Sequence, residues 1–181
     1  GCWGADDGNA GKNPISMNVH YDATSGTIIE RIQDGLSISQ LGVELTFDFA
    51  RVTSKAGSMK TFSFDPGDDD DGVNTITENA NEQTELTYTY QTHGLFTAAL
   101  SATDESNNSA SININIRIDK EIDWTETNTN QPRQMTVSTV PDCTCESPEK
   151  ITIDSTIENP PEVITSPQTT VTWHLLDPNE E

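Results

Sequence analysis

Apolar and polar residues alternate with a period of two in one segment after another along this chain. Leu45, Phe47 and Phe49 alternate with Thr46 and Asp48, Phe62 and Phe64 flank Ser63, and Leu86, Tyr88 and Tyr90 alternate with Thr87 and Thr89. After Gly94 the beat continues through Phe96, Ala98, Leu100 and Ala102, and again through Ile112, Ile114, Ile116 and Ile118. Such a period sends one face of a strand into a core and the other into water. Turn clusters separate the runs at Lys55-Ala-Gly-Ser, Asp65-Pro-Gly-Asp, Thr92-His-Gly and Asp104-Glu-Ser-Asn-Asn. Short strands divided by such clusters predict an all-β, antiparallel sandwich of about seven or eight strands. Its expected core is Phe47, Phe49, Phe64, Tyr90, Phe96, Leu100, Ile114 and Ile116. No segment carries a helical period.

The flanks bound the domains. Residues 1–13 are rich in Gly, Asp and Asn and read as a flexible tether. Residues 14–118 are the sandwich: Ile15, Met17 and Val19 alternate, Thr27 to Glu30 predicts a short strand, and Asp34-Gly35 is a turn before Leu36 and Ile38. Past Ile118 the alternation lapses, so 119–133 reads as a linker or lead-in strand. Residues 134–181 carry a second β pattern, with Met135 and Val137, then Ile151, Ile153 and Ile157, then Val171, Trp173 and Leu175, broken by prolines that cannot serve a sheet ladder. This is about half of an immunoglobulin-like unit, so the chain is expected to stop inside its second domain and to leave the Trp173 face open to association.

Charge narrows the partners. Thirty acidic and nine basic residues leave a formal charge of −21, which repels a phosphate backbone and disfavours nucleic acid and anionic membranes. A charge of that size keeps chains soluble and apart. Hydrophobic residues are only 32% of the chain, but their strict alternation is not the scatter of a disordered segment. No run reaches the roughly 18 apolar residues of a membrane span. The first residue is not Met, so the chain reads as a processed product or fragment, and Gly1-Cys2 followed by a polar stretch looks like the start of a secreted lipoprotein, which makes Cys2 a candidate for acylation. One acyl chain gives only marginal membrane attachment without a second signal.

The run Leu86-Thr-Tyr-Thr-Tyr-Gln-Thr-His-Gly-Leu-Phe-Thr-Ala-Ala-Leu-Ser-Ala-Thr-Asp104 resembles the polycystic kidney disease (PKD) domain, an immunoglobulin-like sandwich. The resemblance covers roughly residues 36–118. Phe62-Ser-Phe-Asp-Pro-Gly-Asp68 stands where the family has aromatic-Asp-x-Gly-Asp, with Phe64 in place of a Trp and Pro66 in place of an aromatic. Tyr88-Thr-Tyr90 stands where His-Thr-Tyr is usual, Gly94 fits the turn Gly, and His93 takes a Pro position. The resemblance implies an extracellular accessory role in adhesion, spacing or binding, as in cell-surface proteins, proteases and polysaccharide-degrading enzymes.

Catalytic chemistry has little to stand on. The sequence has no Gly-x-Ser-x-Gly elbow, His-Glu-x-x-His pair or phosphate-cradling loop, and His20, His93 and His174 fall in separate segments. The chain is therefore expected to be no enzyme. The candidate site is the acidic loop: Asp68, Asp69, Asp70 and Asp71 repel one another, and calcium, with Glu78 as a further ligand, would relieve the repulsion. The spacing from Gly67 to Glu78 follows a calcium loop but lacks its first ligand, so affinity is expected near the extracellular range, about 10⁻⁴ to 10⁻³ M. Cys143-Thr-Cys145 leaves a strained bond, outside pairing or free thiols open. Asn107-Asn-Ser109 is a glycosylation sequon, and Trp124, in a polar stretch, is the aromatic expected to be exposed. These features together predict a non-catalytic extracellular or cell-surface module whose partner is a polysaccharide or a surface protein. The alternative is the accessory region of a secreted hydrolase whose catalytic domain lies outside this chain.

Overall fold

A computed structural model of the protein describes residues 12–69, 72–127, 149–156 and 172. Ten strands run in order: β1 (Ile15–Ser16), β2 (Ser25–Gln33), β3 (Leu36–Leu41), β4 (Val43–Asp48), β5 (Thr53–Ser54), β6 (Met59–Asp65), β7 (Ile76–Asn79), β8 (Glu85–Tyr90), β9 (Gly94–Asp104) and β10 (Ser109–Thr125). None of the described residues is helical. A six-stranded sheet, in the order β3-β2-β10-β9-β6-β7, faces a two-stranded sheet of β4 and β8, and β1 pairs with β5. The result is an all-β, immunoglobulin-like sandwich.

The period-two residues meet between the layers. Phe47 of β4 and Phe49 just after it stack on Phe64 and Phe62 of β6, with ring centroids 4.4 and 4.9 Å apart, and Tyr90 of β8 packs on Phe96 of β9 at 4.8 Å. Phe47, Phe49, Phe64, Tyr90, Phe96, Leu100 and Ile116 are buried, while Ile114 is half-buried against the same cluster. Each fully buried large side chain contributes about 1.5–3 kcal/mol, and each aromatic contact adds about 0.5–1.5 kcal/mol. Outside, cross-strand hydroxyls meet one another: Thr46 with Thr87 at 2.9 Å, Ser63 with Thr77 at 2.8 Å and Ser101 with Ser111 at 3.0 Å. Such pairs support the water-facing side of a sheet.

Two features depart from the sequence pattern. The pairing is antiparallel except between β2 and β10, which run parallel from Ser25 and Arg117 to Gln33 and Thr125. Moreover, β10 continues past Ile118, where the alternation lapses, and ends at Thr125. Its continuation is held as a strand by the β2 ladder, with Ile122 and Trp124 half-buried on one face and charged residues between them.

Lys150–Glu181 is a separate unit. Of its described residues, Ile151 and Ile153 are exposed. The expected strands about Met135, Val137, Ile157, Val171, Trp173 and Leu175 lie outside the described residues.

Candidate functional site

β10 has two partners in succession. Its first part pairs with β9 as far as Ile118↔Gly94, and from Arg117↔Ser25 onward it pairs with β2. β2 in turn pairs with β3. Beyond the start of β9 the sheet therefore continues as a ribbon of β3, β2 and the last part of β10. Asp34 and Gly35 make the tip, with φ of 51° and 80°, the pair of positive values that a two-residue hairpin turn demands. The Asp34 carboxylate also accepts hydrogen bonds from the Thr127 amide and hydroxyl, at 2.8 and 2.7 Å, and the Asp34 amide donates to the Thr125 carbonyl at 3.0 Å. The turn is thereby tied to the end of β10.

The two faces of the ribbon differ. On one, Lys120 donates to Glu30 at 2.8 Å, with both side chains largely covered. This bond, joined by one from the Ser37 hydroxyl, holds the Glu30 carboxyl below its usual range. Ile28, Ile32, Ile122 and Trp124 share that face by register. Trp124 is half-buried rather than exposed, and its indole Nε1 is buried without an acceptor among the described residues. On the other face lie Ile29, Arg31 and Gln33, opposite Leu41, Ser39 and Leu36 of β3. Arg31 and Asp123 pair there at 3.8 Å in the open, where an ion pair adds little.

β3 is the outer strand of the sheet, and all six of its residues are exposed. Leu36, Ile38 and Leu41 are 71%, 60% and 63% exposed. A register shift between Arg31 and Ile32 leaves Ile38 as an extra residue on the β3 side, a β-bulge. β3 carries no charge and no proline, so the devices that usually blunt a sheet edge are reduced here to that one bulge. Local alternation marked Leu36 and Ile38 as strand residues, but it could not show that both side chains stand exposed.

The described residues of the acidic loop are held by hydrogen bonds from their own neighbours. The Tyr88 hydroxyl and the Asn74 amide, the latter at 3.0 Å, donate to Asp68. The backbone amides of Val73 and Asn74 donate to Asp69 at 3.1 and 2.8 Å. Tyr90 reaches the Pro66 carbonyl at 2.9 Å, so two phenols of β8 fasten the start of the loop. Burial, then the Asp68 contact, raises the Tyr88 phenol; burial, then the Asp68 charge, raises that of Tyr90. Gly67 sits at φ 68°, and a Cβ there would lie 2.3 Å from the Thr97 carbonyl oxygen, so only glycine fits. Glu78 lies on β7 opposite Phe62. Asp68, Asp69 and Glu78 are not gathered into a metal-holding group among the described residues, and Asp70 and Asp71 lie outside them.

Sequence reasoning missed Asp104. It reads as one more acidic turn residue, yet its side chain is buried. It accepts from the Ser54 hydroxyl at 2.6 Å, from the amides of Ser106 and Asn108 at 2.9 Å each, and from the Asn108 side chain. The Ser54 bond, first among these, lowers the Asp104 pKa against the opposing effect of burial. The turn residues Asp104 and Asn108 were a local signal; the partner Ser54, on β5, was not. Asn107 is exposed at the same turn, with φ 60°.

His20 lies beside Asp22 at 3.3 Å, and both are exposed. Cys2, Trp3, Cys143, Cys145, Trp173 and His174 lie outside the described residues. Among the described residues no helix is long and apolar enough to cross a membrane.

No family model matches the chain, and no curated protein matches it. A solved structure concerned with the promiscuous specificity of carbohydrate-binding modules from the β-sandwich superfamily is similar to it at 17% identity and a TM-score of 0.43. The match covers 61% of this chain and 36% of that one, so this chain spans about a third of that protein's length.

Proposed function

We propose that this chain is a non-catalytic, exported cell-surface module of PKD type that associates with a surface protein through its ribbon, with the sandwich as a rigid base. The single observation that carries the reading is β3: an outer strand whose six residues are all exposed and which presents Leu36, Ile38 and Leu41 to water. An uncharged, apolar sheet edge is the surface onto which another polypeptide adds a strand, with main-chain hydrogen bonds giving affinity and alternate side chains giving choice. The apolar side chains that β3 exposes, Leu36, Ile38 and Leu41, are aliphatic rather than aromatic, which favours a polypeptide over a polysaccharide as partner. Acylation at Cys2 would hold the module at the surface, and β10, continuous from sandwich to ribbon, would fix the direction in which the edge is presented.

The test is retention of the purified chain on cell envelopes of its source, intact, protease-treated or periodate-oxidised. Retention is expected to fall with protease and with Leu36→Lys, and to survive periodate. Binding lost to periodate alone would assign a polysaccharide partner, and binding indifferent to Leu36→Lys would remove β3 from the account.

A further inference from the structure

We infer that the strand that pairs with β3 is β3 of a second copy of this chain, so that the module forms a two-fold dimer by joining two ribbons edge to edge. The inference rests on the reading of β3 as a docking edge and adds the identity of the occupant.

The argument is one of register. In an antiparallel self-pairing centred on β3, Leu36 of one copy stands opposite Leu41 of the other, Ser37 opposite Gln40 and Ile38 opposite Ser39. Paired residues must point to the same face of a sheet. In an unbroken strand, residues five apart point to opposite faces, and this self-pairing would set each leucine against the wrong side. The bulge at Ile38 removes that conflict. Leu36 pairs with Gln33 and Leu41 with Ile29, two β2 residues on one face, so both leucines lie on that face as well. Ser37 pairs with Ile32 and Gln40 with Glu30, which places both on the other. The extra residue thus makes β3 complementary to itself about a two-fold axis normal to the sheet, with a Leu-Leu pair at each end. An isologous contact of this kind uses the edge of both copies and closes at two.

Charge agrees with the placement. Each copy carries −21, and the copies repel, yet β3 has no charged residue in its six positions. It is a stretch along which two backbones can approach without setting like charges face to face. Because the remaining repulsion is between solvated charges, salt weakens it: the screening length falls from about 10 Å at 0.1 M to about 3 Å at 1 M ionic strength. The dimer should therefore strengthen as salt rises, opposite to an association held by ion pairs.

Sedimentation equilibrium of the full chain under reducing conditions, over a concentration series at about 0.1 M and about 1 M salt, tests this. The native chain is expected to show a reversible monomer–dimer equilibrium whose dimer fraction grows with salt. Leu36→Lys with Leu41→Lys is expected to stay monomeric at both salts; neither side chain is buried, so its fold, checked by circular dichroism, should persist. Val73→Lys adds one such charge at another exposed apolar residue, 79% exposed in the loop before β7, and should dimerise like the native chain. A native chain that is monomeric throughout, a dimer that survives the double substitution, or growth beyond two copies would each overturn the inference. If the native chain is monomeric but Leu36→Lys still abolishes retention on envelopes, the docking edge stands and its occupant is a foreign strand. If neither response appears, both readings fall.

Discussion

The sandwich and the ribbon are built from the same sheet, and β10 runs through both, yet their apolar residues meet different fates. In the sandwich, Phe64 and Leu100 are fully buried because β4 and β8 lie across from them. In the ribbon, Leu36, Ile38 and Leu41 stand more than half exposed on an outer strand. Alternation therefore assigns a residue to a face, and the presence of a second layer decides whether that face becomes core. Where the layer stops, the same pattern leaves apolar side chains in water.

The largest expected contrast is between matched truncations in the two regions. Phe64→Ala should cost about 3–5 kcal/mol of unfolding free energy, whereas Leu36→Ala should fall within about 0.5 kcal/mol, as measured by denaturant titration in dilute protein. Equal losses would mean that β3 is covered after all.

Next comes the acid limb of stability. The folded pKa of Asp104 is depressed, by the Ser54 hydroxyl first, so its contribution is whole above the unfolded carboxylate value of about 3.9. That contribution is lost as pH falls through the lower folded value. Asp104→Asn should lower stability at neutral pH and flatten the loss between about pH 4 and lower values, read from melting temperatures across pH.

Tyr88→Phe removes a donor to a carboxylate and should cost about 1–2 kcal/mol. The Tyr88 and Tyr90 phenols have raised folded pKa values, burial first. Their contribution is therefore whole below the unfolded value of about 10 and is lost as pH rises above it. An alkaline melting series should show stability falling above about pH 10, less steeply in Tyr88→Phe.

The smallest effect is at the loop. Asp69→Asn weakens two backbone bonds at a half-buried carboxylate and should cost about 1 kcal/mol. A gap between native and Asp69→Asn melting temperatures that is the same in calcium and in chelator would mark a loop ordered by its own donors. A gap that opens only with calcium would assign the ordering to the cation, by preferential binding to the folded state.

How much of this was legible in the sequence follows from the range of each interaction. The core phenylalanines were legible because period two is local and strong. Ile114 proved half-buried, packed against the core cluster rather than inside it. The parallel union of β2 with β10 joins residues about ninety positions apart, from Ser25 to Arg117, and leaves no local mark. The last residues of β10, rich in Asp, Lys and Glu, read as linker because their strand state depends on that union. Asp104 resembled its acidic neighbours in sequence and differs from them only through Ser54. The acidic loop was legible as a cluster, but not as one whose Asp68 and Asp69 are already engaged by Tyr88, Asn74 and the backbone.

The central claim is that β3 is an open edge in the single molecule and becomes paired in its assembly. Backbone amide exchange followed residue by residue, in dilute and in concentrated protein at high salt, tests it most directly. The account predicts slow exchange throughout β9 at both concentrations. In β3, the amides that point away from β2 should exchange rapidly when dilute and slow when concentrated. β3 amides that are all protected in dilute protein, or that stay unprotected at every concentration, would contradict it.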